Sequence, residues 1–291
     1  MARTAALRRS VSKGPTARDR AEPDAPGGGK SAKEEIGSLQ RGLAILDTVV
    51  RAERPLTSSE LAEVVGLSTS TTHRLLQSLS ELGYLFRDSS KRYYPSARAL
   101  FPTNLVHPLN VLRRNSMDEL IGLRRRFGQA VALVVFIDRK RWVLESIPSS
   151  DSFSPYTETE VAAPAHTTVA GKILLSTISA DERVTLIGSG PYEALTPKTI
   201  TTPQRLDREL ATITAQRFAT SVDEMLQGLS AVGAPIWCSP GTPLGAVILS
   251  GASKHFTADA MKEMTTAVMH SAGLFSFASP DVRAACRFLG H

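Results

Sequence analysis

Apolar residues recur at helical spacing through the first third of the chain, and they predict three successive helices. The first helix begins near Ser38 and ends before Pro55, and the second is a short helix capped at residue 58 or 59. A glycine turn at residues 66–68 leads into the third helix, which runs to Leu82. One face of this third helix carries Leu75, Leu76, Leu79 and Leu82.

Two short runs with aromatic residues follow the third helix. They cover residues 84–87 and 92–94, are joined by the polar turn 88–91 and are closed by Pro95, as in a β-hairpin. Helix, short helix, turn, helix and basic hairpin is the element order of a winged helix-turn-helix. Residues 38–95 are therefore predicted to form a DNA-binding domain of this type.

The start of the third helix has the chemistry of a DNA-recognition surface. Small hydroxyl side chains let a helix end approach a duplex closely and bond phosphates or base edges. Cations on the hairpin suit phosphate contacts beside the groove. The predicted DNA-contacting residues are Arg41, Ser68, Thr69, Ser70, Thr71, His73, Arg74, Gln77, Arg87, Lys91 and Arg92. The alternative is a three-helix bundle in which the Ser/Thr run only caps a helix.

The rest of the chain alternates strands and helices, which indicates an α+β domain built on antiparallel hairpins. Predicted strands cover residues 130–137, 142–147, 219–222, 230–237 and 244–250, and predicted helices begin near residues 167, 180, 203 and 257. We assign residues 128–279 to this domain, residues 96–127 to a helical linker and residues 280–291 to a C-terminal tail.

Basic charge is concentrated towards the N-terminus. Residues 1–37 carry 8 Lys/Arg against 5 Asp/Glu, residues 38–98 carry 8 against 6, and the remaining 193 residues carry 18 against 17. This distribution, in a chain of net charge +6, is expected if the N-terminal part meets a polyanion. The segment 1–37 has no apolar periodicity and is predicted to be a disordered basic tail.

Composition excludes several classes of protein. With 42% hydrophobic and 21% charged residues among 291, the chain is neither disordered throughout nor fibrous. No apolar run approaches the roughly 20 residues needed to cross a bilayer. The two cysteines, Cys238 and Cys286, lie far apart in the sequence, so we expect neither a disulfide scaffold nor a cysteine-based zinc site. We predict a cytoplasmic protein with no cofactor, no metal ion and no membrane partner.

Two sets of motifs resemble those of the IclR-type bacterial transcriptional regulators. They are SLQRGLAIL at 38–46, LA at 61–62, GLS at 66–68 and HRLL at 73–76, then His166, AGK at 170–172, TIT at 199–201, DE at 223–224, Gly228 and AP at 234–235. The resemblance implies a winged-helix DNA-binding domain followed by a GAF-like effector-binding domain. It also implies a homodimer or homotetramer that represses or activates operons by binding a double-stranded DNA operator.

Four places depart from the family pattern. The dipeptide at 95–96 is Pro-Ser where Leu-Gly is usual after the wing tyrosine, and Arg217 replaces a glycine. Ser221 stands where an acidic residue is frequent, and Ala231 stands where a cysteine is frequent. The last two replacements predict a less acidic and more apolar pocket, and therefore an effector that is a small organic acid with an apolar or aromatic body.

A pocket for this effector is predicted at the start of the helix near residue 167. Free backbone N–H groups and two hydroxyls at such a helix start favour an anionic head group, and the resemblance adds positions on the strands. The predicted effector-binding residues are His166, Thr167, Thr168, Val169, Ala170, Ser221, Asp223, Ala231, Ile248 and Ser250. His166 can instead cap or pack against its own helix, and Gly171-Lys172 indicates close packing beside an exposed base.

The segment 228–233 is similar to a hydrolase nucleophile elbow, but it lacks a required residue. The elbow needs glycine two positions on either side of its serine, and Val232 occupies the second of these positions after Ser230. We therefore predict that the protein is not an enzyme, and a serine hydrolase remains only a remote alternative. A second alternative is a DNA-binding protein whose second domain is a ligand-free oligomerisation or docking module.

Overall fold

A computed structural model describes residues 37–100, 105–151, 154–156, 159–275 and 279–291. The chain divides into two compact units at residue 100. The predicted basic tail, apart from Gly37, lies outside the described residues. None of the described helices combines the length and the hydropathy that a membrane span requires.

The first unit is a small helical domain with a three-stranded antiparallel sheet of order β1-β3-β2, which confirms the predicted winged helix-turn-helix. Its core contains Ile45, Leu61, Leu76 and Tyr93. Its elements are α1 (Ser38–Arg51), β1 (Leu56–Thr57), α2 (Ser58–Val65), α3 (Thr69–Glu81), β2 (Leu85–Arg87), β3 (Arg92–Pro95) and α4 (Ala97–Leu100).

Local chemistry sets the helix ends, with two corrections to the sequence prediction. Helix α2 is capped by Thr57 rather than by residue 58 or 59, because the Thr57 hydroxyl accepts from the Glu60 N–H while the Glu60 carboxylate accepts from the Thr57 N–H. Gly66 ends this helix in the left-handed conformation at φ 70°. Leu82 is exposed rather than packed on the leucine face, because α3 ends before it.

The second unit is a five-stranded antiparallel sheet of order β5-β4-β8-β7-β6 with helices on both faces, which confirms the α+β prediction. Its elements are α5 (Pro108–Phe127), β4 (Ala130–Ile137), β5 (Lys140–Ile147), α6 (Val169–Leu175), α7 (Ala180–Ile187), α8 (Pro203–Gln216), β6 (Ala219–Val222), β7 (Leu229–Ser239), β8 (Thr242–Ala252), α9 (Ala258–Leu274) and α10 (Pro280–Phe288).

The central strand β4 separates two hydrophobic cores. Val131, Leu133 and Val135 face a core shared with α5, α9 and α10, whereas Ala132 and Val134 face a core shared with α6 and α8. Because both faces of the strand are covered, its sequence is a continuous apolar run instead of an alternating one.

Two segments that the sequence analysis placed outside the second domain pack into it. Most of the predicted linker is α5, whose Leu112, Leu120 and Leu123 are buried against the sheet. The predicted tail contains α10, which buries Val282 and Ala285 in the same core. An apolar stripe shows that a helix buries one face, but it does not show which domain covers that face.

The two cysteines form a disulfide, contrary to the sequence prediction. Cys238 on β7 is bonded to Cys286 on α10 across a sequence separation of 48 residues. Distance along the chain did not reflect distance in space, because α10 returns to pack beside the end of β7.

Candidate functional site

The start of α3 presents a polar surface formed by the predicted recognition residues. Ser68 caps the helix by accepting from the Thr71 N–H at 3.2 Å, and its hydroxyl also contacts those of Ser70 and Thr71. The opposite face of the helix holds Leu76 in the core. The surface side therefore offers Ser68, Thr69, Ser70, Thr71, His73, Arg74 and Gln77.

Three longer side chains among the predicted DNA-contacting residues differ in how free they are to bind phosphate. Arg74 is exposed and makes no ion pair or hydrogen bond with its side chain among the described residues. Gln77 donates to Glu81 at 2.9 Å, which orients its amide along the helix. Arg41 on α1 is half-buried, with its side chain likewise unpaired within the described part of the chain.

The hairpin between β2 and β3 carries the three predicted wing cations in different environments. Lys91 is fully exposed at the turn, and Arg87 lies over the ring of Tyr93 at 5.6 Å while remaining exposed. Arg92 instead donates to the Pro55 carbonyl at 3.1 Å, so its guanidinium is turned back onto the domain. Two of the three cations are therefore available at the surface.

The second unit contains a mainly apolar pocket of about 190 Å³ between the start of α6 and the strands β6, β7 and β8. Seven of the ten predicted effector residues line it: Thr167, Thr168, Val169, Ala170, Ser221, Ala231 and Ser250. The loop before α6 closes the other side with residues that the sequence analysis did not single out, and these include Pro155, Tyr156, Glu160, Val161, Ala162 and Ala163.

The three remaining predicted residues lie outside this pocket. The His166 Nε2 atom lies 3.0 Å from the Glu193 carbonyl, and its ring packs beside Tyr192 at a separate surface cavity. Ile248 is buried in the hydrophobic core behind the pocket. Asp223 accepts hydrogen bonds from Lys198 Nζ at 2.7 Å and from the Gly228 N–H at 2.9 Å, and these bonds stabilise the turn at 223–228.

Several polar groups belong to residues that line the pocket. The N–H groups of Val169 and Ala170 precede the first bond within α6, and Thr168 Oγ1 accepts from the Gly171 N–H at 3.1 Å. Ser221 is already committed, because its hydroxyl donates to the Thr167 carbonyl at 2.8 Å. The buried Ser250 hydroxyl lies beside the Tyr156 phenol, a contact that opposes the rise in the Tyr156 pKa, and it makes no other hydrogen bond within the described residues.

Two side chains set the electrostatics beside the pocket. Burial raises the pKa of Tyr156, so this phenol stays protonated and can donate. Arg141 donates to Thr168 Oγ1 at 2.8 Å and to the Ala163 carbonyl. Burial lowers the pKa of Arg141, yet an arginine keeps its charge, and within the described residues no carboxylate lies in ion-pair contact with it.

Lys172 is fully buried rather than exposed, which corrects the sequence interpretation. Its ammonium donates to Glu224 at 2.7 Å, to Glu209 at 3.1 Å and to the Thr220 carbonyl at 3.0 Å. Burial raises the pKa of Glu224, and the Lys172 charge opposes that shift. Gly171 lets α6 pack closely against Ala165, because a Cβ at this position would clash with the Ala165 carbonyl. This close packing brings Lys172 to Glu224.

The arrangement around Ser230 does not resemble a nucleophile elbow. Ser230 lies within strand β7, and its hydroxyl is 2.8 Å from that of Ser253. In the part of the chain that the structure describes, no group of three or more His, Cys, Asp or Glu residues could hold a metal ion.

The pocket-lining residues 155–156 and 160–163 were missed because this part of the sequence has no motif. Its one recognisable signal is a large aromatic residue, Tyr156, within a long stretch that lacks periodicity. Long loops of this kind are frequently functional.

Comparisons with known proteins agree with the two-unit organisation. Residues 38–89 match the model of the "IclR helix-turn-helix domain", and residues 105–276 match that of the "Bacterial transcriptional regulator IclR C-terminal". The chain is 28% identical over 217 residues to the HTH-type transcriptional regulator XynR of Escherichia coli, covering 74% of this chain and 86% of that protein. It is 28% identical over 218 residues to the glycerol operon regulatory protein of Streptomyces coelicolor, covering 75% and 85%.

Solved structures share the fold over almost their whole length. The crystal structure of Thermotoga maritima IclR superposes with a TM-score of 0.69 at 25% identity, covering 87% of this chain and 99% of that one. A homologue from Microbacterium hydrocarbonoxydans, complexed with 4-hydroxybenzoate, gives a TM-score of 0.66 at 19% identity, covering 85% and 100%.

Proposed function

Because this chain belongs to the IclR family of bacterial transcriptional regulators, we propose that its α3 surface binds an operator and that a small aromatic carboxylic acid is its effector. The relatives are regulators and not enzymes, so ligand binding in the second unit serves control of transcription rather than catalysis. The regulator works in the cytoplasm, where bacterial DNA lies.

Recognition of DNA in this proposal depends on the start of α3. The hydroxyl residues 68–71 approach the major groove, and Arg74 supplies an unpaired charge for a phosphate. Arg87 and Lys91 contact the backbone from the wing, whereas Arg92 acts mainly by bracing the hairpin against Pro55.

We propose that the regulator acts as a homodimer, alone or paired into a homotetramer. Leu39 and Leu43 lie one helical turn apart on α1, and both are exposed in the single chain. An exposed apolar stripe of this kind is typical of a surface that another subunit covers. A two-fold dimer presents two recognition helices to the half-sites of a pseudo-palindromic operator.

The pocket supports an effector of about one aromatic ring. Its volume of about 190 Å³ slightly exceeds that of the roughly 150 Å³ apolar cavities that hold benzene. In its lining, the Ser250 hydroxyl and the first N–H groups of α6 can bind a carboxylate, and the half-buried charge of Arg141 lies next to Thr168. The observation that carries this proposal is that the Ser250 and Tyr156 hydroxyls lie beside each other in the wall of a mainly apolar pocket, where both can donate to an anionic head group.

The effector controls DNA binding only through its difference in affinity between two arrangements of the protein. The wall of the pocket includes Met225, on the turn that Asp223 and Glu224 hold. Contacts of the ligand with Met225 that are made in one arrangement and not in the other would give the difference in affinity that such a mechanism requires.

Calorimetric titration of the full chain tests the effector class. We expect benzoate and 4-hydroxybenzoate to bind, and 4-hydroxybenzyl alcohol, benzamide and glucose to bind at least about tenfold more weakly, because a charged hydrogen bond contributes roughly 1.5–3 kcal/mol. The variant Ser250→Ala should lose most of this preference, whereas Ser189→Ala, on an exposed loop, should retain it.

Two results would contradict the proposed effector. Binding confined to neutral sugars or polyols would contradict the carboxylate assignment. A melting temperature that none of the acids changes would favour a second domain that serves only oligomerisation or docking.

A further inference from the structure

Helix α10 adds a disulfide-anchored element beyond the part of the chain that matches the family. The family match ends at residue 276, and α10 begins at Pro280. Its Cys286 is bonded to Cys238, which lies within the matched domain on β7. The bond therefore fixes an additional helix to the effector-binding unit.

Helix α10 packs against α5, so its attachment by the disulfide also affects α5. Asn115 donates to Asp281 at 2.7 Å, and the rings of His107 and Phe288 meet edge to face at 4.4 Å. Val282 is buried in the core that also contains Leu112. The helix thus covers the first two turns of α5, from its N-cap to Asn115.

Helix α5 is the first helix of the second unit, which follows the first unit in the sequence. His107 is the N-cap of α5, and its ring nitrogen accepts from the Leu109 N–H at 3.3 Å. The same ring is held by Phe288 of α10. Loss of α10 would therefore remove a support from the residue that begins this helix.

A disulfide is unusual in a protein that binds bacterial DNA, because thiols are kept reduced in that compartment. Disulfides found there are usually transient and are often redox-sensing. We propose that Cys238–Cys286 is a reversible thiol–disulfide site, and that its reduction releases α10 from the start of α5 and weakens operator binding. Only the second part of this inference, the weaker operator binding, rests on the proposed function.

In the proposed thiol–disulfide exchange, a small thiol (RSH) is the reductant. One thiolate attacks a sulfur of the disulfide and forms a mixed disulfide, and a second thiol releases it, so two RSH become RSSR while the protein gains two thiols. The reverse reaction uses RSSR as the oxidant. Both sulfur-bearing residues are buried, with Cys238 at 8% and Cys286 at 5% exposure, so exchange requires local opening of α10.

The test compares the full chain in both redox states, with the thiol content of each verified by alkylation and mass measurement. Reduction should raise amide hydrogen-exchange rates at least about tenfold in residues 280–288 and 107–115, while α7 stays unchanged as an internal reference. Binding to duplex DNA from upstream of its own gene should weaken at least about fivefold, the lower end of typical coupling between sites.

Variants separate the redox effect from other causes. The double variant Cys238→Ser/Cys286→Ser should behave like the reduced protein and ignore the reductant. The oxidised variant Phe288→Ala should show faster exchange at residues 107–109 with its disulfide intact, and it replaces the double variant if that protein does not fold.

Two results would overturn the inference. Equal exchange rates at α10 in the verified oxidised and reduced proteins would show that the disulfide does not control docking. Redox-independent affinity in a protein that does bind DNA would show that docking is not coupled to the operator. Absence of DNA binding in both states would contradict the proposed function instead, and exchange rates would then decide the docking step alone.

Discussion

Lys172 Nζ lies 2.7 Å from Glu224 Oε1, and the lysine side chain is only 1% exposed. The contact joins α6 to the turn after β6, and both segments contribute residues to the lining of the pocket. The same ammonium reaches Glu209 on α8, so one buried charge holds three elements together.

Replacing Lys172 with methionine should destabilise the second unit by about 3–5 kcal/mol, because removing one partner of a buried pair leaves an uncompensated charge. The free energy of unfolding from urea denaturation measures this loss. Lys198→Met, which removes the same side chain from an exposed contact with Asp223, should cost much less. Equal losses in the two variants would contradict a structural role for the buried charge.

Asp223 should make the turn at 223–228 sensitive to acid. Its hydrogen bonds from Lys198, Ser253 and the Gly228 N–H lower its pKa from 3.8 to about 2. A carboxylate whose folded pKa is lowered adds stability above its unfolded pKa and loses that contribution as the pH falls through its folded value.

Denaturation of wild type and Asp223→Asn at several pH values checks this sign. The wild type should be the more stable at pH 5, and the difference should shrink between about pH 4 and pH 2. A difference that is independent of pH would mean that the carboxylate charge does not hold the turn.

Arg74→Ala should weaken DNA binding roughly tenfold on every sequence, which corresponds to the loss of one charged hydrogen bond. It should also reduce the slope of log affinity against log salt concentration by about one, as expected for a phosphate contact. Arg208→Ala removes the same charge from the second unit and is the control. An unchanged slope in Arg74→Ala would refute the phosphate contact.

Arg217→Gly should stabilise the protein by about 1 kcal/mol, because a side chain in the left-handed region costs roughly that amount. Arg217 ends α8 at φ 61° and ψ 27°, the conformation that glycine adopts freely. Thermal unfolding measures the gain. A lower melting temperature for the glycine variant would indicate that contacts of the arginine side chain outweigh its backbone strain.

Reduction of the Cys238–Cys286 disulfide should lower the free energy of unfolding by up to about 4 kcal/mol, the chain-entropy value for a closed loop of some 48 residues. Urea denaturation with and without reductant measures the difference. The Cys238→Ser/Cys286→Ser protein should show no such difference. A loss of the full value of about 4 kcal/mol would mean that α10 stays docked in the reduced chain, because release of α10 gives the folded protein part of the entropy that the unfolded chain gains.

Local patterns predicted the elements of the first unit well. Helix α3 follows from Ser68 as its cap and from leucines at helical spacing, and the hairpin follows from two short runs around a polar turn. These signals act between residues close in the sequence. The cap of α2 was assigned one or two residues late, because Thr57, Ser58 and Ser59 offer similar hydroxyls and only the bonds with Glu60 distinguish Thr57.

The pocket was only partly predictable. Residues at the start of α6 and on the strands were identified by motif and resemblance, and seven of them line the cavity. Tyr156 was missed because its loop has no periodicity, and His166 was included because its position in the sequence is adjacent to residues that do face the pocket.

By itself, the sequence determined the two-domain order, the helix and strand pattern and the run of hydroxyl residues at the start of α3, because each depends on neighbouring residues. Tertiary structure decided which side chains meet across the fold. It buried Lys172 between two glutamates and brought Cys286 to Cys238 through the docking of α10. Such contacts depend on how whole elements pack. The spacing of two residues along the chain does not give the distance between them in the fold.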